Sequence, residues 1–580
     1  MTKEQRYLNK RIKSLRKEQT FAFNEMQREN LLQLCYACGF GKGYIIGTDL
    51  LNQVINSDDK IFGLLSHRLG LNEQHISDIF ELLMGKKSPL MGKVAFAFVG
   101  SSGGLNQTDI EQNDDLIDRR INDYNNSLSK NQKKINLKEL ILTTTSKDKL
   151  LKFITNHSDK KVIVISTYHS CEKLSYIHNI GTLYADEAHT LASNFNDFNK
   201  KDDKGKDSHM KNYLKIKSKR KFFFTATPKD CSDDNDSLES YLMSNPKYFG
   251  RRIEMSHLES IDKGYILGST LESVYPEQFH EDLLGQDFGS IENKAKFIMK
   301  IFEHHREWLR KKSAFPDKIA PKLLIRCSSV EKDLWPIVEE LRLICGNILI
   351  FASAAKDLNN LTIDNNIIYQ DNVSKQFSKK DNKFIDRNGI IDRKDYIESI
   401  QALSDTEEAI VLHHDTISEG INVPGLTCFV PFSDKLIGFA KLYQNLGRVI
   451  RLNKIDKKLL EKGKIEVYGP GWIKPEAHII IPYWSNISKD AEEIMIKTIL
   501  WLETRIGAKI SDFNRVPNSS DMTTGFGSNA EATHRKREGS KRELIEEVYF
   551  KVQEKIRRGL INSTMEDLLN IEDVLDKFSW

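Results

Sequence analysis

The stretch IGTLYADEAHTLAS, Ile180–Ser193, carries a short apolar run into two adjacent carboxylates, Asp186 and Glu187. Small and polar residues follow them. The run reads as a buried strand with the carboxylates at its C-terminal end. In a nucleotide-binding α/β sheet, ligands sit outside the carboxyl ends of the strands. One carboxylate there can hold Mg²⁺, directly or through water. Its neighbour can orient or deprotonate an attacking water. Phosphoryl transfer to water needs that division of labour. Taken alone, Asp186-Glu187-Ala188-His189 also fits a solvated acidic strand end, so its meaning depends on what surrounds it.

Upstream, LLQLCYACGFGKGYIIGTDLL (31–51) reads as an apolar strand, a glycine-containing loop and an apolar-periodic helix. Gly39 and Gly41 let the loop turn tightly around Phe40, so that backbone N–H groups can point at phosphate oxygens. Lys42 falls at the start of the helix, where the dipole favours an anion and the ammonium can reach β- and γ-phosphates. The usual P-loop pattern places Ser or Thr after the lysine, to ligate Mg²⁺. Here Gly43 holds that place, and Tyr36 stands where the pattern has its first glycine. Cys35 and Cys38 form a C-x-x-C pair without further ligands at metal-site spacing, and read as part of the strand and loop. The seven cysteines are scattered, as suits a reduced chain.

With both stretches in place, the chain resembles the superfamily 2 helicases and translocases of the DEAH type. It is most similar to the group of restriction-enzyme motor subunits and phage branch-migration helicases. The resemblance runs from about residue 16 to 484 and keeps the family's motif order. RKEQ (16–19) ends in Gln19, which the resemblance implies reads adenine. CGFGKG is motif I, and LLSHRLGLNEQ (64–74) and VISTYHS (164–170) are similar to motifs Ia and Ic. The resemblance implies nucleic-acid contacts from Ser66, His67, Arg68 and Thr167. FFFTATP (222–228) matches motif III, with Thr225 and Thr227 as coupling residues beside His189. KLLIRCSS (322–329) looks like motif IV. TISEGINVPG (416–425) is motif V, with Gly420 and Asn422 at the nucleotide; many relatives carry Asp at the latter place. QNLGRVIR (444–451) is motif VI. There the resemblance implies that Gln444, Arg448 and Arg451 serve hydrolysis, the two arginines reaching the γ-phosphate from the opposite lobe. A guanidinium suits that task because it is planar and always charged. By the same resemblance Asp186 binds Mg²⁺, Glu187 positions the water, and Lys42 is catalytic.

The expected architecture is α/β: two RecA-like parallel-sheet lobes in tandem with a helical C-terminal region. The 580 residues suggest about three domains. Residues 1–19 form a basic N-terminal segment and 20–250 the first, ATP-binding lobe. A crossing segment spans 251–289, the second lobe 290–484 and a helical accessory region 485–580. Polar stretches at 105–137, 195–218 and 371–395 read as surface insertions. Charged residues make up 29% and hydrophobic ones 39%, and no apolar run reaches the length of a membrane span. The basic N-terminus lacks the apolar core of a secretory signal, so the expected compartment is the cytoplasm, the host's if the chain is viral. A net charge of +4 does not by itself point to nucleic acid. Basic runs at 213–224 and 534–542 offer a backbone track. His414-Asp415 lacks the companions of a metal phosphohydrolase. No convincing nuclease motif stands in the C-terminal region, which leaves room for a nuclease or replication and recombination partner. The expected cofactors are ATP and Mg²⁺. The expected track is nucleic acid, duplex DNA ahead of RNA, with an ATP-gated binding scaffold as the alternative that Gly43 raises.

Gly43 generates a direct test. It removes one hydroxyl from the magnesium shell and costs the helix start up to about 1 kcal/mol. Mg²⁺ readily keeps water in place of a protein ligand, so the defect is partial. Gly43→Ser and Gly43→Thr are expected to raise ATPase rate or lower the Mg²⁺ concentration needed. Superimposable rate-against-Mg²⁺ curves for parent and both variants would make the hydroxyl irrelevant here.

Overall fold

Runs such as VAFAFV (94–99) and KVIVIST (161–167) are apolar at both alternations, the pattern of strands covered on both faces. The computed structural model describes residues 1–66, 74–85, 87–100, 137–193, 198–199, 207–229, 241–274, 290–353, 367–368, 375–378, 383–386, 390–391, 399–414, 423–432, 439–482 and 509–513. The chain divides into two compact units, Met1–Ser256 and His257–Trp580.

The first unit holds eight strands: β1 Leu31–Cys35, β2 Ile61–Ser66, β3 Val94–Val99, β4 Ile141–Thr144, β5 Lys161–Thr167, β6 Ile180–Asp186, β7 Ser218–Thr225 and β8 Arg251–Glu254. They form one parallel sheet in the order β4-β3-β5-β2-β6-β7-β1-β8. Parallel neighbours require crossovers, and helices such as Lys42–Asn56 and Lys147–Asn156 provide them. Every residue of β3 is buried. Helix Lys3–Lys13, part of the expected basic segment, packs on the helix after the loop. Its Arg11 guanidinium lies 3.2 Å over the Tyr44 ring and donates to Thr48 Oγ1 at 3.2 Å.

The second unit contains β9 Ser269–Val274, β10 Lys322–Cys327, β11 Leu349–Ser353, four short strands β12 Ile367–Ile368, β13 Lys375–Ser378, β14 Lys383–Asp386 and β15 Ile390–Ile391, then β16 Ala409–His413, β17 Cys428–Phe432, β18 Ala477–Pro482 and β19 Lys509–Phe513. Its main sheet is parallel, ordered β11-β16-β10-β17-β18-β9-β19. Strands β12–β15 make a small antiparallel sheet of their own; β13–β15 fall in the stretch expected as the 371–395 insertion, and β12 lies just before it.

Three boundaries differ from the sequence reading. The crossing segment is shared out: β8 joins the first sheet and β9 the second, because each has an open edge partner, β1 and β18. The second sheet does not close at β18. Strand β19, inside the region expected to be helical, adds to β9 as a parallel edge, with Ile510 opposite Leu271. The C-terminal part of the 195–218 insertion is core: Met210 and Tyr213, on helix His209–Leu214, are buried, because the first unit offers them an apolar face that a polar average conceals. Residues 105–136 and 514–580, with the 534–542 basic run, lie outside the described residues.

A polar knot lies beneath the loop helix. Asp49 is fully buried and accepts from Tyr184 Oη at 2.7 Å and from Gln27 Nε2 at 2.7 Å, with Arg220 Nη2 4.0 Å away. A buried carboxylate without its donors costs several kcal/mol, so these partners hold helix, β6 and β7 in one arrangement. Tyr184→Phe removes one donor and is expected to cost about 1.5–3 kcal/mol. Thermal denaturation should show a loss of roughly 2–4 °C per kcal/mol for a unit of this size. An unchanged melting temperature would mean that Asp49 does not depend on this hydroxyl.

Candidate nucleotide site

The order β6-β7-β1 places the DEAH, TAT and loop segments side by side at the C-terminal sheet edge. In register, Asp186 stands opposite Phe224, and Cys35 opposite Thr225. Three stretches far apart in sequence therefore meet without any long loop.

The loop is built by two left-handed glycines, Gly39 at φ +85° and Gly41 at φ +96°. Neither Tyr36 nor Gly43 has positive φ, so the backbone does not demand glycine at either place. Tyr36 is buried and stacks on Phe40 with ring centroids 4.2 Å apart, while its N–H donates to Thr225 O at 3.1 Å. That stack takes over the loop's first corner, where the usual pattern has glycine. Lys42 is the first residue of helix Lys42–Asn56, and its Nζ donates to the carbonyls of Tyr36 at 3.0 Å and Ala37 at 3.3 Å. The ammonium thus lies within the loop it is expected to serve. Gln19 is buried and holds the loop from behind: Nε2 donates to Phe40 O at 2.9 Å, and Oε1 accepts from Arg16 N at 3.0 Å. Cys35 is buried and Cys38 half-buried, both within this strand and loop.

Strand β6 ends at Asp186, and Glu187 turns out of it in the left-handed region, φ +50°, ψ +48°. That conformation costs a non-glycine residue roughly 1–2 kcal/mol and marks a position the surroundings must hold. Tyr168 helps hold it by donating its hydroxyl to Asp186 O. Burial, then the nearby Asp186 and Glu187 charges, push the Tyr168 hydroxyl well above its ordinary range, so it remains a donor. His189 joins the segments: Nδ1 lies 2.9 Å from Thr225 Oγ1, 3.2 Å from Thr227 Oγ1 and 3.4 Å from Glu187 Oε2. Thr225 Oγ1 also accepts from Thr227 N at 3.1 Å.

The expected nucleic-acid residues fare differently. Ser66 and Thr167 pair in register at the ends of β2 and β5, and both side chains are buried. His67 and Arg68 lie outside the described residues, as do Gly420 and Asn422. The basic run before motif III is largely engaged: Lys215 pairs with Asp207, Lys219 with Asp59, and Arg220 donates to Met26 O. It enters at the N-terminal end of β7, the sheet edge opposite the DEAH end, so it offers no track beside the site. His414 Nδ1 bonds Cys327 O at 3.1 Å, and Asp415 lies outside the described residues.

In the second unit, Gln444, Arg448 and Arg451 come from helix Phe439–Val449 and the turn after it. Arg448 is buried and Gln444 half-buried. Lys474, which the sequence reading passed over, caps this helix: Nζ donates to Val449 O at 2.6 Å and Arg451 O at 2.8 Å. Burial pulls its amine down to about 7. Asp456 braces the same turn by accepting from Ile473 N and Lys474 N, each at 2.9 Å. The signal for both was faint, a lone Lys and a lone Asp in loop-like sequence. Tyr168 was legible only as part of VISTYHS.

No family model matches the chain, and no curated protein matches it. Solved structures do. The chain superposes on the ATP-dependent Type ISP restriction-modification enzyme LlaBIII bound to DNA, with a TM-score of 0.52 and 13% identity, over 87% of this chain and 31% of that one. It also aligns with a nuclease-deletion mutant of the Type ISP enzyme LlaGI in complex with a DNA substrate mimic (TM-score 0.45, 13% identity, 84% and 28% covered). A third match is the DEAD-box helicase Mss116 bound to ssRNA and UDP-BeF (TM-score 0.46, 13% identity, 94% and 86% covered). The first likeness shows the fold, tandem RecA-like α/β lobes shared with that restriction-modification enzyme. The chain spans about a third of that enzyme's length.

Gly41 sets the prediction here. A Cβ at this residue would stand 2.7 Å from Gln19 Nε2, on a backbone at φ +96°. Gly41→Ala is expected to cost about 1–2 kcal/mol from the backbone alone, and to displace the Gln19–Phe40 bond. Titration with a fluorescent ATP analogue should show roughly tenfold weaker binding, the equivalent of about 1.4 kcal/mol. Parent-like affinity would show that the loop tolerates a side chain and that Gln19 does not set its shape.

Proposed function

We propose that the chain is an ATP-dependent nucleic-acid helicase or translocase acting on duplex DNA. The observation that carries this reading is the meeting of Lys42, Asp186, Glu187, His189, Thr225 and Thr227 at the ends of three adjacent parallel strands. DNA is favoured over RNA because the ATP-dependent restriction-modification enzyme on which the chain superposes with a TM-score of 0.52 is bound to DNA.

The residues present suit Mg-ATP. Two glycines with positive φ give the loop the tight turns on which an anion cradle can be built, and Lys42 already lies in that loop. Hard carboxylate oxygens on Asp186 suit Mg²⁺, with water where Gly43 supplies none. The metal, when bound, would neutralise charge on the phosphate oxygens. The chain's own residues do the rest. Lys42 binds phosphate. Glu187, turned out of the strand end, orients a water and takes its proton. His189 links Glu187 to Thr225 and Thr227, so a change at the nucleotide is felt in β7. Gln19 secures the loop behind the base-reading position. Arg448 and Arg451 are assigned to developing phosphate charge, Gln444 to the same step, and Gly420 and Asn422 to the nucleotide. A nuclease or a replication or recombination partner is part of the proposal, because the C-terminal region carries no convincing nuclease motif.

The test is steady-state ATPase without nucleic acid and with duplex DNA, single-stranded DNA or RNA, for parent and Glu187→Gln. Stimulation strongest with duplex DNA is expected. The variant should lose roughly 10²–10⁴-fold in turnover while still binding ATP. Stimulation by RNA alone moves the reading to an RNA helicase. ATP binding without turnover in the parent favours the gated scaffold that Gly43 suggests.

A further inference from the structure

The second unit buries two histidines and a cysteine at one point of its sheet. His478 on β18 and Cys428 on β17 are register partners, and His305 reaches them from helix Ile291–Lys312. All three are fully buried, and their ligand atoms lie within 4.8 Å of one another. The Nδ1 atoms of His305 and His478 face each other at 3.0 Å. Two imidazole nitrogens on one tetrahedral zinc, each bonded at about 2.0–2.1 Å, would stand roughly 3.3 Å apart. The sulfur then needs to close by about 1 Å.

The outer nitrogen of each ring is already held. His478 Nε2 donates to Glu272 Oε2 at 2.9 Å, which leaves its Nδ1 lone pair facing inward. His305 Nε2 lies 2.8 Å from Thr427 Oγ1. That hydroxyl receives Lys322 N at 2.9 Å and can donate to Lys322 O at 3.2 Å, so it can accept from the imidazole. In that tautomer His305 Nδ1 presents its lone pair to a metal; in the other it donates to His478 Nδ1. Carboxylate and hydroxyl partners of this kind orient histidines that bind metals. His304 Nε2, 2.8 Å from Glu272 Oε1, fixes the carboxylate in turn. Charge also balances: Zn²⁺, a Cys428 thiolate and the Glu272 carboxylate sum to zero, which a buried site requires. Nitrogen and sulfur donors select zinc over magnesium or calcium. Trp308 stacks on His478 with ring centroids 4.3 Å apart and lines a cavity of 360 Å³ with Tyr468 and Trp472, a route by which an ion could come close.

We propose that His305, Cys428 and His478 bind a zinc ion that ties helix Ile291–Lys312 to β17 and β18, with water in the fourth position. Its role is structural, and none of its three ligands is among the residues assigned to nucleotide chemistry.

The experiment uses the full chain, untagged and purified without chelator from zinc-supplemented medium. Elemental analysis should find about one zinc per chain. Replacement by cobalt should give a thiolate-to-cobalt charge-transfer band and intense visible bands of a low-coordinate ion. Both bands should be lost in Cys428→Ser and kept in the double variant Cys35→Ser/Cys38→Ser. Chelation should lower the melting temperature of the parent and leave Cys428→Ser unmoved. If Cys428→Ser fails to fold, the cobalt spectra of parent and double variant decide alone. A metal-free parent with no cobalt bands and no thermal response to added zinc would overturn the proposal, leaving a hydrogen-bonded histidine pair. So would bands that vanish in the Cys35/Cys38 double variant, or zinc bound with no thiolate band.

Discussion

The first unit depends on the adjacency of β6, β7 and β1. A parallel sheet brings all its C-terminal ends to one edge, and helices must cover both faces for its apolar strands to be stable. Once those strands are neighbours, the loop after β1, the carboxylates after β6 and the threonines after β7 share one place. Asp49 locks the arrangement from below. Its carboxylate can be buried only while Tyr184 from β6 and Gln27 from helix Lys17–Arg28 donate to it, with Arg220 of β7 nearby. A buried charge of this kind enforces one geometry, because other packings leave it bare.

The loop illustrates how a degenerate motif can keep its shape. Glycine is needed only where φ is positive, at Gly39 and Gly41. At the first corner, Tyr36 replaces the conformational freedom of glycine with a ring stack on Phe40 and a backbone bond to Thr225. Behind the loop, Gln19 fills the space that a side chain at Gly41 would claim. The departures from the usual pattern are thus of two kinds. Tyr36 has a structural replacement, whereas Gly43 lacks a hydroxyl in a helix that would accept one.

The second unit buries several titratable side chains, among them Lys474, Lys322, Asp456, His305, His478 and Glu272. Burial depresses the Lys322 amine to about 8 and the Lys474 amine to about 7. Each ammonium donates to backbone carbonyls: Lys474 to Val449 and Arg451, and Lys322 to Ser404 and Pro424. These bonds end helices and turns at defined residues, so motif VI is presented from a fixed frame. Glu272 is held near 2, against the opposing effect of burial, by His304 and His478. The carboxylate is therefore charged at any ordinary pH, and it sets the tautomer of His478.

The sequence by itself determined the fold class and the identity of most candidate residues in the first unit. Continuous apolar runs specify covered parallel strands, and DEAH, CGFGKG and TATP fall at strand ends because polar or glycine residues interrupt those runs there. Such signals are local, and local physics suffices to read them. What only the tertiary structure decided is non-local. Composition could not show that β8 and β9 divide the crossing segment, because an edge strand is chosen by the partner that is open to it. Nor could a helical periodicity reveal that Lys509–Phe513 pairs with β9. The basic run at 213–224 looked like a track, yet most of its charge is spent on Asp207, Asp59 and a buried backbone carbonyl, partners that only folding brings near. Lys474 and the His305–Cys428–His478 group stayed invisible for the same reason, as did the part that Tyr168 plays within VISTYHS. Each is an ordinary residue until burial and distance, which the chain acquires only on packing, give it a partner.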